Sequence, residues 1–170
     1  AFGYTSWKAV KIAIDDMVAP LLIGKEISNI PELLLTLQKS LHLFGRYGIT
    51  MFAISGVEIA LWDALGKEKD KPVHELLGKK NKDLFKAYSS LFRYGDPKIV
   101  EQKCRQSLDD GYQAIKLHEI ENNCIEAGRK GTGNLPLMLD TNCPWTYEET
   151  LAKKDFLKNM KLTWLEEPIY

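Results

Sequence analysis

A chain of 170 residues, 45% apolar and 27% charged, has an ordinary globular composition and enough length for one large or two small domains. Its 23 Lys and Arg balance 23 Asp and Glu, which leaves no basic excess to hold nucleic acid or an anionic membrane. No uninterrupted apolar run approaches the roughly 18 residues that span a bilayer. The three cysteines, Cys104, Cys124 and Cys143, form neither a disulfide framework nor a CxxC pair, so a reducing cytoplasmic setting is expected.

The first half has a helical pattern. Thr5 or Ser6 is placed to cap a helix through Val18 whose Val10, Ile14 and Met17 share a face, and Pro20 and Gly24 are expected to end it. Asn29 and Pro31 open a second helix to about Phe44, since proline fits a first helical turn. After Gly45 and Gly48, a third helix over about 50–67 carries Ala53, Gly56, Ala60 and Ala64, small residues suited to close packing. Pro72 starts a short helix that Gly78 ends.

The rhythm changes after the polar stretch GKKNKD, residues 78–83. Short apolar runs at 84–90, 113–117, 135–140 and 162–166 alternate with helical patterns at about 96–110, 120–130 and 146–159. Asp96-Pro97 is a helix start, and Thr146 with Glu149 has capping-box spacing. Repeated β/α units at this spacing predict a parallel sheet, either open and doubly wound or part of a barrel. In both architectures the chemistry belongs at the C-terminal strand ends.

Those ends are chemically rich. The second strand closes on Lys116 and His118, the third on Asp140 and Asn142, the fourth on Glu166. Alternation puts Lys116 with His118, and Asp140 with Asn142, on one face. Charged groups gathered at successive strand ends are costly unless they pair or bind something. Asp140 and Glu166, on neighbouring strands, are placed to grip one cation, and hard oxygen donors favour Mg²⁺ over Zn²⁺. Arg93 and Tyr94 follow the first strand and are candidates to reach a substrate. The glycine-rich run 128–133 lies after a helix and before a strand, the wrong end for a phosphate loop, and reads as a helix exit. A glycosidase-type pairing of Asp140 with Glu166 is the competing reading of the same carboxylates.

Four segments in order, AISGVEIALWDALGKEKDKPVHELLG (53–78), GYQAIKLH, PLMLDTN and WLEEP, resemble the enolase superfamily, above all its mandelate racemase/muconate lactonizing enzyme branch. The resemblance implies an α/β chain: residues 1–82 as the helical part of an α+β capping domain, and 83–170 as the first four β/α units of a TIM-type barrel. It implies a lyase or isomerase that uses Mg²⁺ to abstract the proton α to the carboxylate of a small substrate. Dehydration of a sugar acid is the first expectation, racemisation or cycloisomerisation the next. Asp140 and Glu166 match metal ligands, Asn142 a substrate-binding or supporting position, and Lys116 the first lysine of the family's Lys-x-Lys. His118 stands where many relatives place the lysine base. An imidazole titrates near 6.5 and needs little tuning to act as a base at neutral pH, so His118 is expected to take the proton with Lys116 as electrostatic support.

By the same resemblance the third metal ligand lies on a following strand, and the capping domain's strands precede residue 3. The chain, starting at Ala1, is therefore expected to be an internal piece, inactive alone and prone to form a homo-oligomer through exposed strand edges. A catalytically inactive barrel with a structural role is the alternative from a different class.

Overall fold

The computed structural model describes residues 6–79, 81, 82 and 84–170, and the chain divides into two compact units, 1–83 and 84–170. The first unit is helical: α1 (Trp7–Ala13), α2 (Ala19–Leu22), α3 (Ile30–Ser40), α4 (Ile49–Glu68) and α5 (Val73–Leu77). Its core joins Ala13, Val18, Ile30, Leu34, Leu37, Ala53, Ile54 and Leu65. Thr5 lies outside the described residues, and Ser6 flanks α1 without a side-chain cap. Asn29 does cap α3, its side chain accepting the Glu32 N–H at 3.3 Å.

Two expectations for this unit need correction. Pro20 does not end the first helix, which continues as α2 to Leu22. A π-helical turn, Ile14–Val18, shifts the hydrogen-bond register just before the proline, where a residue without an N–H is least missed. The second correction concerns α4, which is long and apolar enough, by length and composition alone, to cross a membrane. Glu58 and Asp63 interrupt its apolar run, so run length passed over it. It packs on α1 and α3 through buried Ala53, Ile54 and Leu65, with 28% of its apolar stretch buried.

In the second unit β1 (Ser89–Ser90), β2 (Ile115–Leu117), β3 (Leu137–Asp140) and β4 (Trp164–Glu166) form a parallel sheet in the order β1-β2-β3-β4. They alternate with α6 (Pro97–Asp109), α7 (Asn122–Thr132), and α8 (Tyr147–Ala152) with α9 (Lys154–Asn159). This is the α/β architecture of a partial β/α barrel. Asp96 caps α6 by accepting the Lys98 and Ile99 N–H groups, and Thr146 with Glu149 completes a capping box on α8. The helix expected over 146–159 is two short helices meeting at Lys153.

Leu91, Ile115, Leu117, Leu137, Leu139 and Leu165 fill the core on one face of the sheet, with Val100, Cys104 and Ile125 of the helices. The opposite face curls inward. Tyr88, just before β1, meets Trp164 of β4 edge-to-face with ring centroids 6.0 Å apart, although two strands separate them. The first strand is shorter than its apolar run. Leu84 and Phe85 are exposed, and β1 pairs with β2 only at Ser89 and Ser90.

Glycines set the fit of α7. A Cβ at Gly128 would come within 2.3 Å of Leu117 Cδ1, and one at Gly131 within 2.7 Å of the Glu101 backbone oxygen. Gly133 ends the helix at φ 64°, so the run 128–133 is the helix exit expected of it.

Candidate active site at the strand ends

The parallel register aligns Leu117 with Leu139, Leu139 with Leu165, and Asp140 with Glu166. Since those three leucines point into the helix-side core, alternation turns Lys116, His118, Asp140 and Glu166 to the other face. There they meet. Lys116 Nζ lies 3.1 Å from Asp140 Oδ2 and 3.2 Å from Glu166 Oε2, and His118 Nε2 lies 3.4 Å from Asp140 Oδ2. Trp164 Nε1 donates to Glu166 Oε2 at 3.0 Å.

The electrostatics follow from this packing. Burial works against the charge on Lys116, but hydrogen bonds and attraction from Asp140 and Glu166 outweigh it and raise its pKa above the ordinary lysine value. Lys116 is therefore held as an ammonium. His118 places Nδ1 2.5 Å from the Leu91 carbonyl oxygen. A carbonyl only accepts, so Nδ1 carries the hydrogen and Nε2 faces the carboxylate.

Beyond β3 the chain turns through Asn142 and Cys143, both at positive φ. Asn142 tolerates that conformation better than most residues, and it returns Nδ2 and its backbone N–H to Asp140 Oδ1 at 2.9 and 3.1 Å. Thr141 adds a second tie, donating its N–H to the Glu166 carbonyl and its hydroxyl to the Glu167 carbonyl. The Glu167 side chain is exposed.

Arg93 does reach the cluster, as a brace. Its Nε donates to the His118 carbonyl at 2.5 Å, and Nη2 donates to the Thr141 carbonyl at 2.8 Å and to Asn142 Oδ1 at 3.4 Å. Tyr94 does not: its ring packs against the helix-side core, because the chain has left the strand and alternation no longer holds. Its N–H instead donates to Glu119, a residue the sequence reading passed over. Glu119 is 1% exposed and accepts from the N–H of Tyr94 at 2.7 Å and of Gly95 at 3.2 Å. Its signal was present in the sequence: a charge where alternation from Ile115 and Leu117 calls for an apolar side chain. Cys143, Cys104 and Cys124 are free thiols. Burial, aided by the Glu119 charge, pushes the Cys124 thiol up, away from the reactive thiolate form.

Among the described residues no three His, Cys, Asp or Glu side chains form a complete metal cage. The donor pair nonetheless fits a hard divalent cation. Asp140 Oδ2 and Glu166 Oε2 both lie within 3.2 Å of the Lys116 ammonium, and carboxylate oxygens are the donors such ions select.

Comparison with known proteins agrees with this architecture. Residues 1–78 match the family model "Mandelate racemase / muconate lactonizing enzyme, N-terminal domain". The chain is 30% identical to the arabinonate dehydratase of Saccharolobus solfataricus, over 99% of this chain and 48% of that protein. Among solved structures it superposes on the 3,6-anhydro-D-galactonate cycloisomerase of Zobellia galactanivorans with a TM-score of 0.86 and 26% identity, covering 96% of this chain and 47% of the other. A racemase from Streptomyces coelicolor with bound magnesium also gives 0.86, at 27% identity, covering 96% and 51%. The family model, the superposed folds and the sequence similarity agree: the chain belongs to the enolase superfamily, in its mandelate racemase/muconate lactonizing enzyme branch. It spans about half the length of the relatives it matches.

Proposed function

We propose that the protein carrying this chain abstracts the proton α to the carboxylate of a small substrate with the help of Mg²⁺, and that it dehydrates a sugar acid. In this reading residues 1–82 belong to a capping domain and 83–170 to the opening units of a barrel. The carrying observation is the meeting of Lys116, His118, Asp140 and Glu166 at the C-terminal ends of three consecutive parallel strands. Dehydration is preferred over racemisation or cycloisomerisation because of the match to arabinonate dehydratase over 99% of the chain.

Asp140 and Glu166 would hold the metal, with Asn142 fixing the Asp140 carboxylate. When bound, the cation supplies positive charge against the negative charge that develops on the substrate carboxylate. His118 Nε2 accepts the α-proton as the C–H electron pair moves toward that carboxylate. Lys116, held cationic, adds charge at the same place. The electron pair then returns to expel a β-hydroxyl, which takes the proton now held on His118 Nε2 and leaves as water, so that the base is regenerated.

The test is solvent deuterium exchange. The full-length gene product is incubated with Mg²⁺ and a library of sugar acids in D₂O, and α-deuterium is read by NMR and mass spectrometry. Exchange is expected with at least one acid and is expected to vanish in His118→Ala. A folded protein that exchanges none of them overturns the reading and favours a structural role, whereas a His118→Ala variant with full exchange overturns the assignment of His118 as the base.

A further inference from the structure

Glu119 poses a problem that the proposed chemistry does not use. It follows His118 directly, yet points to the other face of the sheet, where only 1% of it is exposed. A carboxylate placed there is costly unless both oxygens are satisfied. They are, by backbone donors from one place: Oε1 takes the Tyr94 N–H and Oε2 the Gly95 N–H. Gly95 sits at φ 69°, a conformation that turns its N–H to the same carboxylate as its neighbour's at little steric cost.

The segment so gripped also holds His118 from two sides. Its first residue, Leu91, offers the carbonyl that receives Nδ1 of the imidazole. Its Arg93 donates to the His118 backbone carbonyl and, 2.8 Å away just past β3, to that of Thr141. One loop therefore fixes both the tautomer and the strand end of His118, and Glu119 is what anchors the loop's far end.

We propose that Glu119 is a positioning residue: it locks residues 91–95 so that Leu91 and Arg93 aim His118 Nε2 into the site. This rests on the reading of His118 as the base. A carboxylate suits the task because it accepts at both oxygens and donates at neither. In Glu119→Gln one acceptor becomes an NH₂ group that confronts a backbone N–H, so one end of the clamp opens. In Glu119→Asp both acceptors survive but the reach shortens by one methylene.

The full-length protein with Mg²⁺ and its exchanging substrate provides the test. Glu119→Gln is expected to lower kcat by about 10- to 100-fold, the usual effect of losing a group that orients a site residue, with KM unchanged. Amide hydrogen exchange at Tyr94 and Gly95 should rise, and the His118 Nδ1–H resonance should broaden or disappear. Glu119→Asp should recover part of the kcat, and serves as the assay if the Gln variant does not fold. Wild-type kcat in Glu119→Gln, or a fall confined to KM with the His118 resonance unaltered, overturns the proposal. The two readings fail separately: a fully active His118→Ala defeats the base assignment, whereas an inactive His118→Ala beside a fully active Glu119→Gln defeats only the clamp.

Discussion

The His118 imidazole is held at Nδ1 by the Leu91 carbonyl, while its Nε2 faces Asp140 Oδ2 at 3.4 Å. The first contact comes from β1's exit and the second from β3, so the ring is oriented by strands on either side of its own. Replacing the ring with an amide separates its two jobs. In His118→Asn the side-chain NH₂ can still donate toward Leu91, while no basic nitrogen remains. Substrate deuterium exchange should fall by about 10²- to 10⁴-fold, the range for loss of a general base. Mg²⁺ affinity, measured by calorimetry, should stay near the parent value, because Asp140 and Glu166 are untouched. Loss of Mg²⁺ binding in that variant would place His118 in the metal shell instead.

Lys116 is the only ammonium that the described hydrogen bonds place between Asp140 and Glu166. Lys116→Met leaves two carboxylates facing one another with no counter-charge. Breaking a fully buried pair costs about 3–5 kcal/mol. The loss here should be smaller, because the Glu166 side chain is 38% exposed and water screens it. Thermal denaturation should show a lower Tm in metal-free buffer. Added Mg²⁺ should then raise the variant's Tm by more than the parent's, since the cation relieves repulsion that the parent never has. An equal shift in both would mean that the ion binds elsewhere.

How much of this was legible in the sequence depends on where each residue's partners lie. Lys116, Asp140 and Glu166 sit at the ends of short apolar runs, and period-two alternation alone places them together. The Thr146–Glu149 box and the Asp96 cap are equally local, each reaching three residues along the chain. Elements whose limits are set from a distance were harder to read. Leu84–Tyr88 has strand composition, but β1 extends only as far as β2 offers Ile115 and Lys116 to pair with. Glu119 finds its donors 24 and 25 residues upstream, in a loop whose path no local pattern encodes. Tyr94, a candidate because it follows the first strand, lies past the strand's end, where its ring packs against the helix-side core. The π turn before Pro20 has no counterpart in the apolar spacing.

Helices α6 and α7 are tied at their surface by Glu101, which meets Lys130 at 2.9 Å and Arg105 at 2.8 Å. Hydrogen bonds from Lys130 and then Arg105 hold its carboxyl below the ordinary value. The unfolded chain therefore takes up this proton first as pH falls. The tie's contribution to stability is complete above the ordinary glutamate value of about 4.3 and is lost as pH drops through the lower folded one. Glu101→Gln should accordingly lower Tm slightly at pH 7, and the difference should close as acidification protonates Glu101 in the folded parent. Raising salt at pH 7 should shrink the difference as well. A gap that persists at low pH and high salt would assign the effect to packing.

Gly131 of α7 packs directly against α6, and there two effects of opposite sign compete. Alanine is a better helix former than glycine by about 1 kcal/mol, so propensity alone predicts that Gly131→Ala stabilises α7. The added Cβ, however, would stand 2.7 Å from both Cys104 Cβ and the Glu101 backbone oxygen. A backbone oxygen within a helix cannot swing aside, and Cys104 is fully buried, so α6 and α7 must move apart. Overpacking of this kind costs about 1–3 kcal/mol, and opening an otherwise close-packed interface adds to it. The clash should win, and Tm should fall. At Gly128 the nearest obstacle is the tip of the Leu117 side chain, which can change rotamer, so Gly128→Ala should cost less than Gly131→Ala. If both variants instead raise Tm, helix propensity governs this interface and the packing argument for the glycines of α7 is wrong.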